Sequence, residues 1–438
     1  MFLRRLLTFL LLGLAVVALL WAAAIHFTRP AVPQKSAGDR RFDVPLSQPK
    51  GGAASAVDYA RLDARLRRLM EDPAMVGLAV AVVENGEIRF AKGYGETVAG
   101  SGDPVTPSTV FRWASLSKGV AADMVALLAE QGRLSLYEPV ARYAPSLHLP
   151  GGNEYRATVS DLLSHRLGLF GHAQDPKLEE GWDPRYLRGT LATLHNICAP
   201  GTCHAYQNVA YDAASEIVER ATGESYAQAV RERLFAPLGM TGASMTRAEL
   251  INSPHWAQPH AGGRNSRPAE VTESYYHVPA AGGVNGSIAD LAAWMLAQMG
   301  AAPDVLPPAV LQAVQTPRAA TPGETGRRRK FRERTTVTAY GLGWRIIDYA
   351  GHRTIGHHGG VRGYRSMILF DPQRRAGIVA LWNSSSSRPN GIEYEVMDMV
   401  YGLPFRDWLA IDDRSLDAQP PAPEPAAPER PENEGGNG

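Results

Sequence analysis

The 438-residue sequence has only two cysteines, only six lysines among its 45 basic residues, and a formal net charge of only +1. Two cysteines exclude a disulfide-rich scaffold and an all-cysteine zinc site. A net charge near zero gives no electrostatic basis for a nucleic-acid partner. The apolar fraction of 45% is ordinary for a globular chain that buries a sizeable core. Because lysine is rare, a lysine inside a motif carries more weight than usual.

Several catalytic motifs are also missing from the sequence. There is no G-x-S-x-G turn, which argues against an α/β-hydrolase. There is neither an H-E-x-x-H zinc helix nor a glycine-rich phosphate loop. We therefore expect neither a metal nor an organic cofactor.

An apolar run over residues 6–27 follows Arg4 and Arg5 at the N-terminus. As a helix rising ~1.5 Å per residue, it is long enough to cross a hydrocarbon core of about 30 Å. The arginines should stay in the cytoplasm, so we expect a periplasmic, extracytoplasmic body anchored to the inner membrane by this run. The alternative is a signal peptide cleaved near Ala22-Ala23-Ala24, although the run is long for an h-region of about 7–15 residues.

The segments 29–56 and 411–438, which flank the folded domain, are too polar and too rich in proline to bury a core. We divide the chain into an anchor or signal segment (1–28), a linker (29–56), one folded domain (57–410) and a disordered tail rich in proline and glutamate (411–438). The folded domain contains no internal repeat.

Apolar periodicity within the domain predicts strands near both chain ends and helices between them. Asp58 is a good N-cap for the first helix, and Glu84-Asn85-Gly86 is typical of a hairpin turn. The predicted helices cover 60–70, 115–131, 212–222, 226–234, 290–299 and 391–401, and the predicted strands cover 76–83, 87–91, 341–347, 352–356, 364–370 and 376–382. This order predicts an α+β fold with one sheet built from both ends of the chain and a helical region from the middle.

Ser115-Leu-Ser-Lys118 stands at the start of a predicted helix. Serine is a poor nucleophile without a base, and a spacing of three on a helix puts both side chains on one face. The helix N-terminus favours neutral Lys118 and stabilises negative charge forming at Ser115. The alternative is an N-capping serine beside a solvated lysine. A second match, Ser47-Gln-Pro-Lys50, lies in a segment without helical pattern, and we attribute it to chance.

Tyr206-Gln-Asn208 forms a second candidate motif. A tyrosine near a cation is a candidate general base, because the cation favours the phenolate. The amide two residues later is suited to hold a substrate carbonyl or the lysine. The alternative is a buried tyrosine beside an asparagine in a turn.

The third motif, Gly356-His-His-Gly-Gly360, lies at a predicted strand end. Small residues at a strand edge let a substrate backbone pair with it, and a glycine N–H can donate to an oxyanion. Adjacent strand residues face opposite ways, so His357 and His358 make a poor two-ligand metal site.

In this order the motifs resemble those of the serine β-lactamase and penicillin-binding superfamily. The closest likeness is its class C branch, which also holds D-alanyl-D-alanine carboxypeptidases, D-aminopeptidases and esterases. The resemblance covers roughly residues 60–405 and implies the α+β, β-lactamase/transpeptidase-like fold with its antiparallel sheet. The other blocks that resemble the family are Thr109-Val-Phe-Arg-Trp-Ala, Leu134-Ser-Leu-Tyr-Glu-Pro-Val140, Val159-Ser-Asp-Leu-Leu-Ser-His-Arg-Leu-Gly-Leu169, Pro200-Gly-Thr, Leu234-Phe-Ala-Pro-Leu-Gly-Met240, Ala281-Gly-Gly-Val-Asn-Gly-Ser287 and Tyr340-Gly-Leu-Gly-Trp344.

The resemblance also implies a role for each motif residue. Ser115 is expected to be the acylated nucleophile, and Lys118 and Tyr206 are expected to share the proton transfers. The backbone N–H groups of Ser115 and Gly360 are expected to form the oxyanion hole. The expected substrate-binding residues are Asn208, His357, His358 and Gly359, of which Asn208 should also orient Lys118.

His357 and His358 stand where β-lactamases of this branch carry the Lys and Thr of Lys-Thr-Gly. The fixed positive charge is thereby replaced by a titrating imidazole. Related peptidases and esterases tolerate histidine there. If His357 binds a substrate carboxylate, affinity for anionic substrates should fall as the pH rises through its pKa. The alternative is that His357 only packs at the strand edge or donates a neutral hydrogen bond.

The sequence therefore favours an acyl-serine hydrolase, a peptidase, amidase or esterase that acts on a D-amino-acid peptide, amide or ester. One alternative is a class C-like β-lactamase. An alternative of another class is a membrane-tethered penicillin-binding or sensing module without turnover.

Two smaller features remain near these motifs. Cys198 and Cys203 are expected to form a disulfide that braces the Tyr206 segment in an oxidising compartment; the alternative is two unpaired, buried thiols. The basic run from Arg327 to Arg334 is expected to be a solvated loop, and a contact with anionic lipid or cell-wall polymer is a lesser alternative.

Overall fold

The computed structural model describes residues 55–327 and 329–412, with side chains except those of residues 325–329. The α-helices of this part are α1 (Tyr59–Leu69), α2 (Ser117–Glu130), α3 (Val159–Leu163), α4 (Asp175–Glu179), α5 (Pro184–Thr190), α6 (Ala213–Thr222), α7 (Tyr226–Val230), α8 (Arg247–Ile251), α9 (Pro279–Gly282), α10 (Ile288–Gln298), α11 (Pro308–Gln315), α12 (Pro322–Arg327) and α13 (Ile392–Val400). Shorter helical turns are Ala114–Leu116, Val140–Arg142, Pro150–Tyr155, Leu191–Thr193, Arg231–Phe235, Gly263–Asn265 and Arg329–Phe331.

The strands form one eight-stranded antiparallel sheet and one two-stranded pair. They are β1 (Gly77–Glu84), β2 (Glu87–Gly95), β3 (Phe111–Arg112), β4 (Asn285–Gly286), β5 (Ala319–Ala320), β6 (Thr335–Tyr340), β7 (Arg345–Tyr349), β8 (His352–Val361), β9 (Tyr364–Asp371) and β10 (Ala376–Trp382). The large sheet has the order β2-β1-β10-β9-β8-β7-β6-β5. Because β1 pairs with β10, the sheet joins both ends of the domain, which confirms the predicted α+β architecture.

Both faces of the sheet are covered, and this explains the unbroken apolar run of β1. Every residue of β1 is buried. Ala79 and Ala81 pack into the cluster that contains α2 and α10, whereas Leu78 and Val80 pack into the cluster that contains α1 and α13. The alternation of a strand therefore sends successive residues into two separate cores.

The hairpin between β1 and β2 confirms its sequence prediction. Asn85 and Gly86 have φ angles of 56° and 78°, and a type I′ turn requires positive φ at both central residues. The helix α1 begins after Asp58, whose side chain accepts from the backbone N of Arg61 at 2.9 Å. The second strand runs to Gly95, further than the periodicity indicated.

The sequence prediction was wrong about the strand over 341–347. Residues 341–344 form a turn, in which the N–H of Gly341 donates to the carbonyl of Trp344 and Gly343 has a φ of 74°. The strand β7 begins only at Arg345, and β6, which was not predicted, precedes the turn.

The prediction that the basic run from Arg327 to Arg334 is a solvated loop was also wrong at the C-terminal end of the run. Arg334 is buried, forms an ion pair with Asp398 and donates to the carbonyl of Pro404 at 2.6 Å.

The described fold extends slightly beyond the expected boundaries of 57 and 410. Ser55 donates to Glu84 at 2.7 Å, Ile411 is buried, and Asp412 accepts from Arg65 at 2.7 Å. The predicted segment 1–28 lies outside the described residues, as do most of the linker 29–56 and of the tail 411–438. Within 55–327 and 329–412, no helix combines the length and apolar character that a membrane span requires.

A buried ion network holds the helical region together. Arg188 of α5 donates to Asp212 at 2.8 Å and to Glu216 of α6 at 2.7 Å, and its side chain is 2% exposed. Asp212 also accepts from the N–H of Ala280 in α9. These bonds tie α5, α6 and α9 into one unit behind the pocket described below.

Arg188→Met should lower the free energy of unfolding by about 3–5 kcal/mol, because it leaves two buried carboxylates without their cation. Urea unfolding followed by circular dichroism measures this change. The control is Arg185→Met, because Arg185 is 65% exposed and contacts acids only at 3.5–3.6 Å. The control should cost at most about 1 kcal/mol. Equal losses in both variants would show that the network is not what stabilises these helices.

Candidate active site

A pocket of about 730 Å³ brings together the three sequence motifs. The predicted residues that line it are Ser115, Tyr206, Asn208 and Gly360. The other lining residues are His172, Asp175, Pro176, Glu179, Tyr275, Ala281, Gly282, Val361 and Arg365. The motifs are far apart in sequence, and the sheet and α2 bring them to one place.

Ser115 lies in the short helical turn Ala114–Leu116 rather than inside an α-helix, which corrects the predicted helix start. Ala114 has a φ of 48°, a left-handed conformation that is uncommon for a residue other than glycine. The hydroxyl of Ser117 donates to the carbonyl of Ala114 at 2.6 Å and accepts from the N–H of Val284 at 3.0 Å. These two bonds hold the strained turn and present Ser115 to the pocket.

Lys118 is fully buried on the first turn of α2. Its Nζ donates to Asn208 Oδ1 at 2.7 Å and to the carbonyl of Ala281 at 2.9 Å. Burial lowers the pKa of Lys118 to about 7, although the charges of Asp175 and Asp212 act in the opposite direction. Near neutral pH a large fraction of this amine is therefore uncharged and able to accept a proton. The contact with Asn208 places that amide where the resemblance implied, against the lysine.

The phenol of Tyr206 lies beside Lys118, whose Nζ is 4.6 Å from the centre of the ring. Burial raises the pKa of Tyr206 above its ordinary value, while the contact with the Ser115 hydroxyl and the charge of Arg345 oppose this only in part. Its Oη makes no hydrogen bond of full geometry to any described residue. The expectation of a phenolate stabilised by the cation is therefore wrong: the protonated phenol prevails, and Lys118 is the stronger candidate base.

Asp175, which the sequence analysis missed, extends the polar chain behind Lys118. Asn208 Nδ2 donates to Asp175 Oδ2 at 2.6 Å, and His172 Nδ1 lies 2.8 Å from the same oxygen. This arrangement fixes the amide of Asn208 so that its oxygen faces Lys118. The only sequence signal was an acidic residue before Pro176, which is typical of any helix start.

His357 is buried, with its ring 6.1 Å from that of Tyr206, and a neutral hydrogen-bond network holds it. The N–H of Gln207 donates to His165 Nδ1 at 3.2 Å, so the proton of His165 is on Nε2, 3.3 Å from Tyr340 Oη. Tyr340 Oη then donates to His357 Nε2 at 3.0 Å, and His357 Nδ1 donates to the carbonyl of His358 at 2.7 Å. In this network both imidazoles are neutral.

Burial, Arg345 and Lys118 also hold the pKa of His357 well below its ordinary value. The idea that His357 supplies a titrating charge for a substrate carboxylate is therefore wrong. The sequence showed a histidine in place of a lysine, but it could not show how deeply that histidine is buried.

His358 lies on the opposite face of β8 and forms an ion pair with Glu393 of α13 at 3.4 Å. The structure therefore does not bring His358 into the pocket, which contradicts its predicted substrate-binding role. The two histidines face opposite ways, as expected for adjacent residues of a strand.

Gly359 packs against the turn that carries Ser115. A Cβ on Gly359 would lie 2.2 Å from Ser366 Oγ and 2.4 Å from the carbonyl oxygen of Trp113. Only glycine permits this approach, which also leaves the Ser115 nitrogen 3.0 Å from that Cβ position. Gly359 thus allows β8 to pack closely against the turn that carries Ser115. The backbone of the next residue, Gly360, is exposed and lines the pocket.

The end of β8 has a free edge next to Ser115. Pairing between β8 and β7 ends at Gly356 opposite Arg345, and β8 continues to Val361. On the β7 side, residues 357–361 pair with no described strand. An extended substrate backbone therefore has space to add to this edge.

Cys198 and Cys203 form a disulfide, so the alternative of two free thiols is wrong. Backbone bonds from Ile197 to Gly168 at 2.8 Å and from Ala205 to His165 at 2.9 Å hold the same loop. The loop leads directly into Tyr206, and it therefore limits how far the phenol can move.

The profile of the beta-lactamase family matches residues 62–397. The unguisins hydrolase ungD of Aspergillus violaceofuscus is 25% identical over 81% of this chain and 68% of its own length. Esterase EstB of Burkholderia gladioli is 34% identical over 43% of this chain, and the match spans about half of the esterase (52%). The octameric penicillin-binding protein homologue of Pyrococcus abyssi superposes with a TM-score of 0.71 at 23% identity, over 79% of this chain and 78% of the homologue.

Asp175→Asn should move the reactivity of Ser115 to lower pH. Neutral Lys118 is the form that accepts a proton, so the rate at which a fluorophosphonate labels Ser115 should rise with pH through about 7. The negative charge of Asp175 raises the pKa of Lys118, and its removal lowers that pKa. The variant should reach half of its maximal labelling rate at a lower pH than the wild type. An unchanged midpoint, or the same shift in the exposed control Glu180→Gln, would contradict this coupling.

His357 should stay neutral from pH 5 to pH 9, with its proton on Nδ1. Nitrogen-15 NMR of histidine-labelled protein distinguishes this tautomer from the imidazolium, and His357→Gln assigns the signal. An imidazolium signal for His357 at pH 6 would reject the neutral network.

Proposed function

The chain belongs to the beta-lactamase family, and on that basis we propose that it is an acyl-serine hydrolase, namely a peptidase, amidase or esterase, that uses Ser115 as its nucleophile. The observation that carries the proposal is the environment of Lys118. A buried amine with a pKa near 7, held by Asn208 and Ala281 beside Ser115, is suited to take a proton from serine at neutral pH. A sensing module that is acylated without turnover would use the same base, and the turnover assay below distinguishes the two.

Acylation begins when Ser115 Oγ attacks the substrate carbonyl and Lys118 accepts its proton. The protonated phenol of Tyr206 gives its proton to the leaving nitrogen or oxygen and is reprotonated from Lys118. The carbon–nitrogen or carbon–oxygen bond breaks, and the acyl group stays on Ser115. A water molecule then attacks the ester and gives a proton to Lys118. The bond between the acyl carbon and Ser115 Oγ breaks, Lys118 returns the proton to that oxygen, and the acid is released.

The oxyanion formed in both steps is stabilised by the N–H groups of Ser115 and Gly360. The close packing of Gly359 against the Ser115 turn sets the separation of these two donors. Preorganised hydrogen-bond donors around a developing negative charge make one of the largest contributions to the rate of acyl transfer. The substrate backbone lies along the free edge of residues 357–361 and therefore keeps its scissile carbonyl over Ser115.

A peptide, amide or ester is favoured over a β-lactam as the substrate. A β-lactam carries a carboxylate, and the residue in the family's lysine position is the neutral His357 rather than a fixed cation. Two relatives are named for the hydrolysis of compounds other than β-lactams, namely the unguisins hydrolase and esterase EstB, and this supports the proposal. We further propose, from the apolar run 6–27 and from the disulfide, that the domain works outside the cytoplasm and is anchored to the inner membrane.

Ser115→Ala should abolish turnover while it changes the free energy of unfolding by at most about 1 kcal/mol, since a serine at a helix start contributes only about that much. Intact-mass spectrometry of the protein after treatment with a fluorophosphonate should show one adduct in the wild type and none in the variant. A penicillin tested in parallel reports whether a β-lactam acylates the same residue.

Ser47→Ala is the matched control, since Ser47 belongs to the other Ser-x-x-Lys match, and it should label and turn over as the wild type does. Substrates for turnover are a D-alanine amide, its L-enantiomer, a nitrophenyl ester and a chromogenic cephalosporin. Wild-type rates in Ser115→Ala on any accepted substrate would disprove the assignment of the nucleophile.

A further inference from the structure

A hydrogen bond between two distant segments of the chain forms part of the pocket lining. Tyr275 Oη donates to Glu179 Oε1 at 2.8 Å, across a sequence separation of 96 residues, and both residues line the pocket. Glu179 is the last residue of α4, and Tyr275 lies in the segment that leads into α9. The mechanism proposed above uses neither side chain. We call this contact the Tyr275–Glu179 bridge.

Two properties of the neighbourhood keep the bridge formed. The hydroxyl of Ser274, a buried residue, donates to the backbone carbonyl of Glu179 at 3.3 Å, so the same two segments are joined twice. Burial and the charges of Asp175 and Glu179 raise the pKa of Tyr275 above its ordinary value. The phenol therefore stays protonated at any working pH and keeps donating to the carboxylate, which is a charge-assisted bond.

The ring of Tyr275 packs on Gly282, which also lines the pocket. A Cβ on Gly282 would lie 3.3 Å from Cδ1 and 3.4 Å from Cβ of Tyr275, closer than the optimal separation of about 3.5–4.0 Å between carbon atoms. The ring thus fills the space that a side chain at position 282 would need. The adjacent carbonyl of Ala281 accepts from Lys118 at 2.9 Å, so this part of the lining lies next to the base.

We propose that the Tyr275–Glu179 bridge limits the size of the substrate group that lies over Gly282, so that the enzyme prefers groups of the size of alanine to aromatic groups there. This inference rests on the proposed function, because it concerns substrates that are turned over at Ser115. A larger group has to displace a ring that a hydrogen bond and the packing on Gly282 both hold. The free energy of that displacement is subtracted from the binding of the larger substrate and lowers its kcat/KM.

The test uses two pairs of esters, so that both sides of the scissile bond are covered. The first pair consists of the nitrophenyl esters of N-acetyl-D-alanine and N-acetyl-D-phenylalanine, which differ in the acyl group. The second pair consists of the methyl and benzyl esters of N-acetyl-D-alanine, which differ in the leaving group. In at least one pair the wild type should have a kcat/KM at least about tenfold lower for the larger ester. Tyr275→Ala should raise the ratio of larger to smaller ester at least about tenfold in that pair.

The bond to Glu179 can be tested separately from the bulk of the ring. Tyr275→Phe keeps the ring without its hydroxyl, and Glu179→Ala removes the acceptor. Both variants should raise the same ratio by about twofold to tenfold, because packing alone then holds the ring. Glu179→Gln keeps an acceptor oxygen and should stay within about twofold of the wild type. A ratio in Glu179→Gln as high as that in Glu179→Ala would show that the bridge is not what holds the ring.

Tyr137→Ala is the matched control, since Tyr137 is 70% exposed and does not line the pocket. It removes an equal aromatic side chain and should leave the ratio unchanged in both pairs. Thermal unfolding by circular dichroism checks each variant. A changed ratio at an unchanged melting temperature is expected of a local steric limit and not of a damaged fold.

Failure of this inference is distinguishable from failure of the proposed function. If a fluorophosphonate labels Ser115 and the smaller esters are hydrolysed, but Tyr275→Ala changes the ratio less than about twofold in both pairs, the inference is overturned and the hydrolase assignment stands. If no ester is turned over, calorimetric binding of the four esters to Ser115→Ala, with and without Tyr275→Ala, tests the size limit without chemistry. An unchanged preference for the smaller members in that comparison would also overturn the inference.

Discussion

The burial of the Lys118 amine without a carboxylate in direct contact is the constraint on which the site depends. An ammonium in this position loses its hydration and gains, from the described part of the chain, only two neutral acceptors, Asn208 Oδ1 and the carbonyl of Ala281. The amine is therefore close to neutral at working pH, which is what a serine nucleophile requires of its base. Asp175 acts one step away, through Asn208, and keeps the pKa of Lys118 from falling further.

Much of the fold could be predicted because its determinants are local. Asn85-Gly86 specifies its hairpin by the φ angles it permits, and the apolar run of β1 reports a strand buried on both faces. The strand β6 was missed because it alternates buried and exposed residues irregularly and follows a basic run. The turn over residues 341–344 needs a bond from Gly341 to Trp344, which composition does not reveal.

For the site, as for the fold, the sequence indicated which residues are present but not the environment in which they lie. The motifs around Ser115, Tyr206 and His357 were found in sequence, and the structure brings them to one pocket, which Ser115, Tyr206 and Gly360 line. The expected phenolate of Tyr206 and the expected titrating charge of His357 were both wrong, because burial favours the neutral form of each group. No local pattern indicates burial caused by segments more than 100 residues away.

The neutral residue at position 357 fits the same physical constraint. A fixed charge at position 357 would lie within the electrostatic reach of Lys118 and Arg345, as the low pKa of His357 shows, and it would lower the pKa of Lys118 further. A neutral histidine bonded to Tyr340 fills that place without disturbing the base. Arg365 comes from the next strand, and its guanidinium occupies the space that a side chain at Gly360 would need. A neutral residue at position 357 is therefore compatible with a base at position 118 whose pKa burial already lowers to about 7.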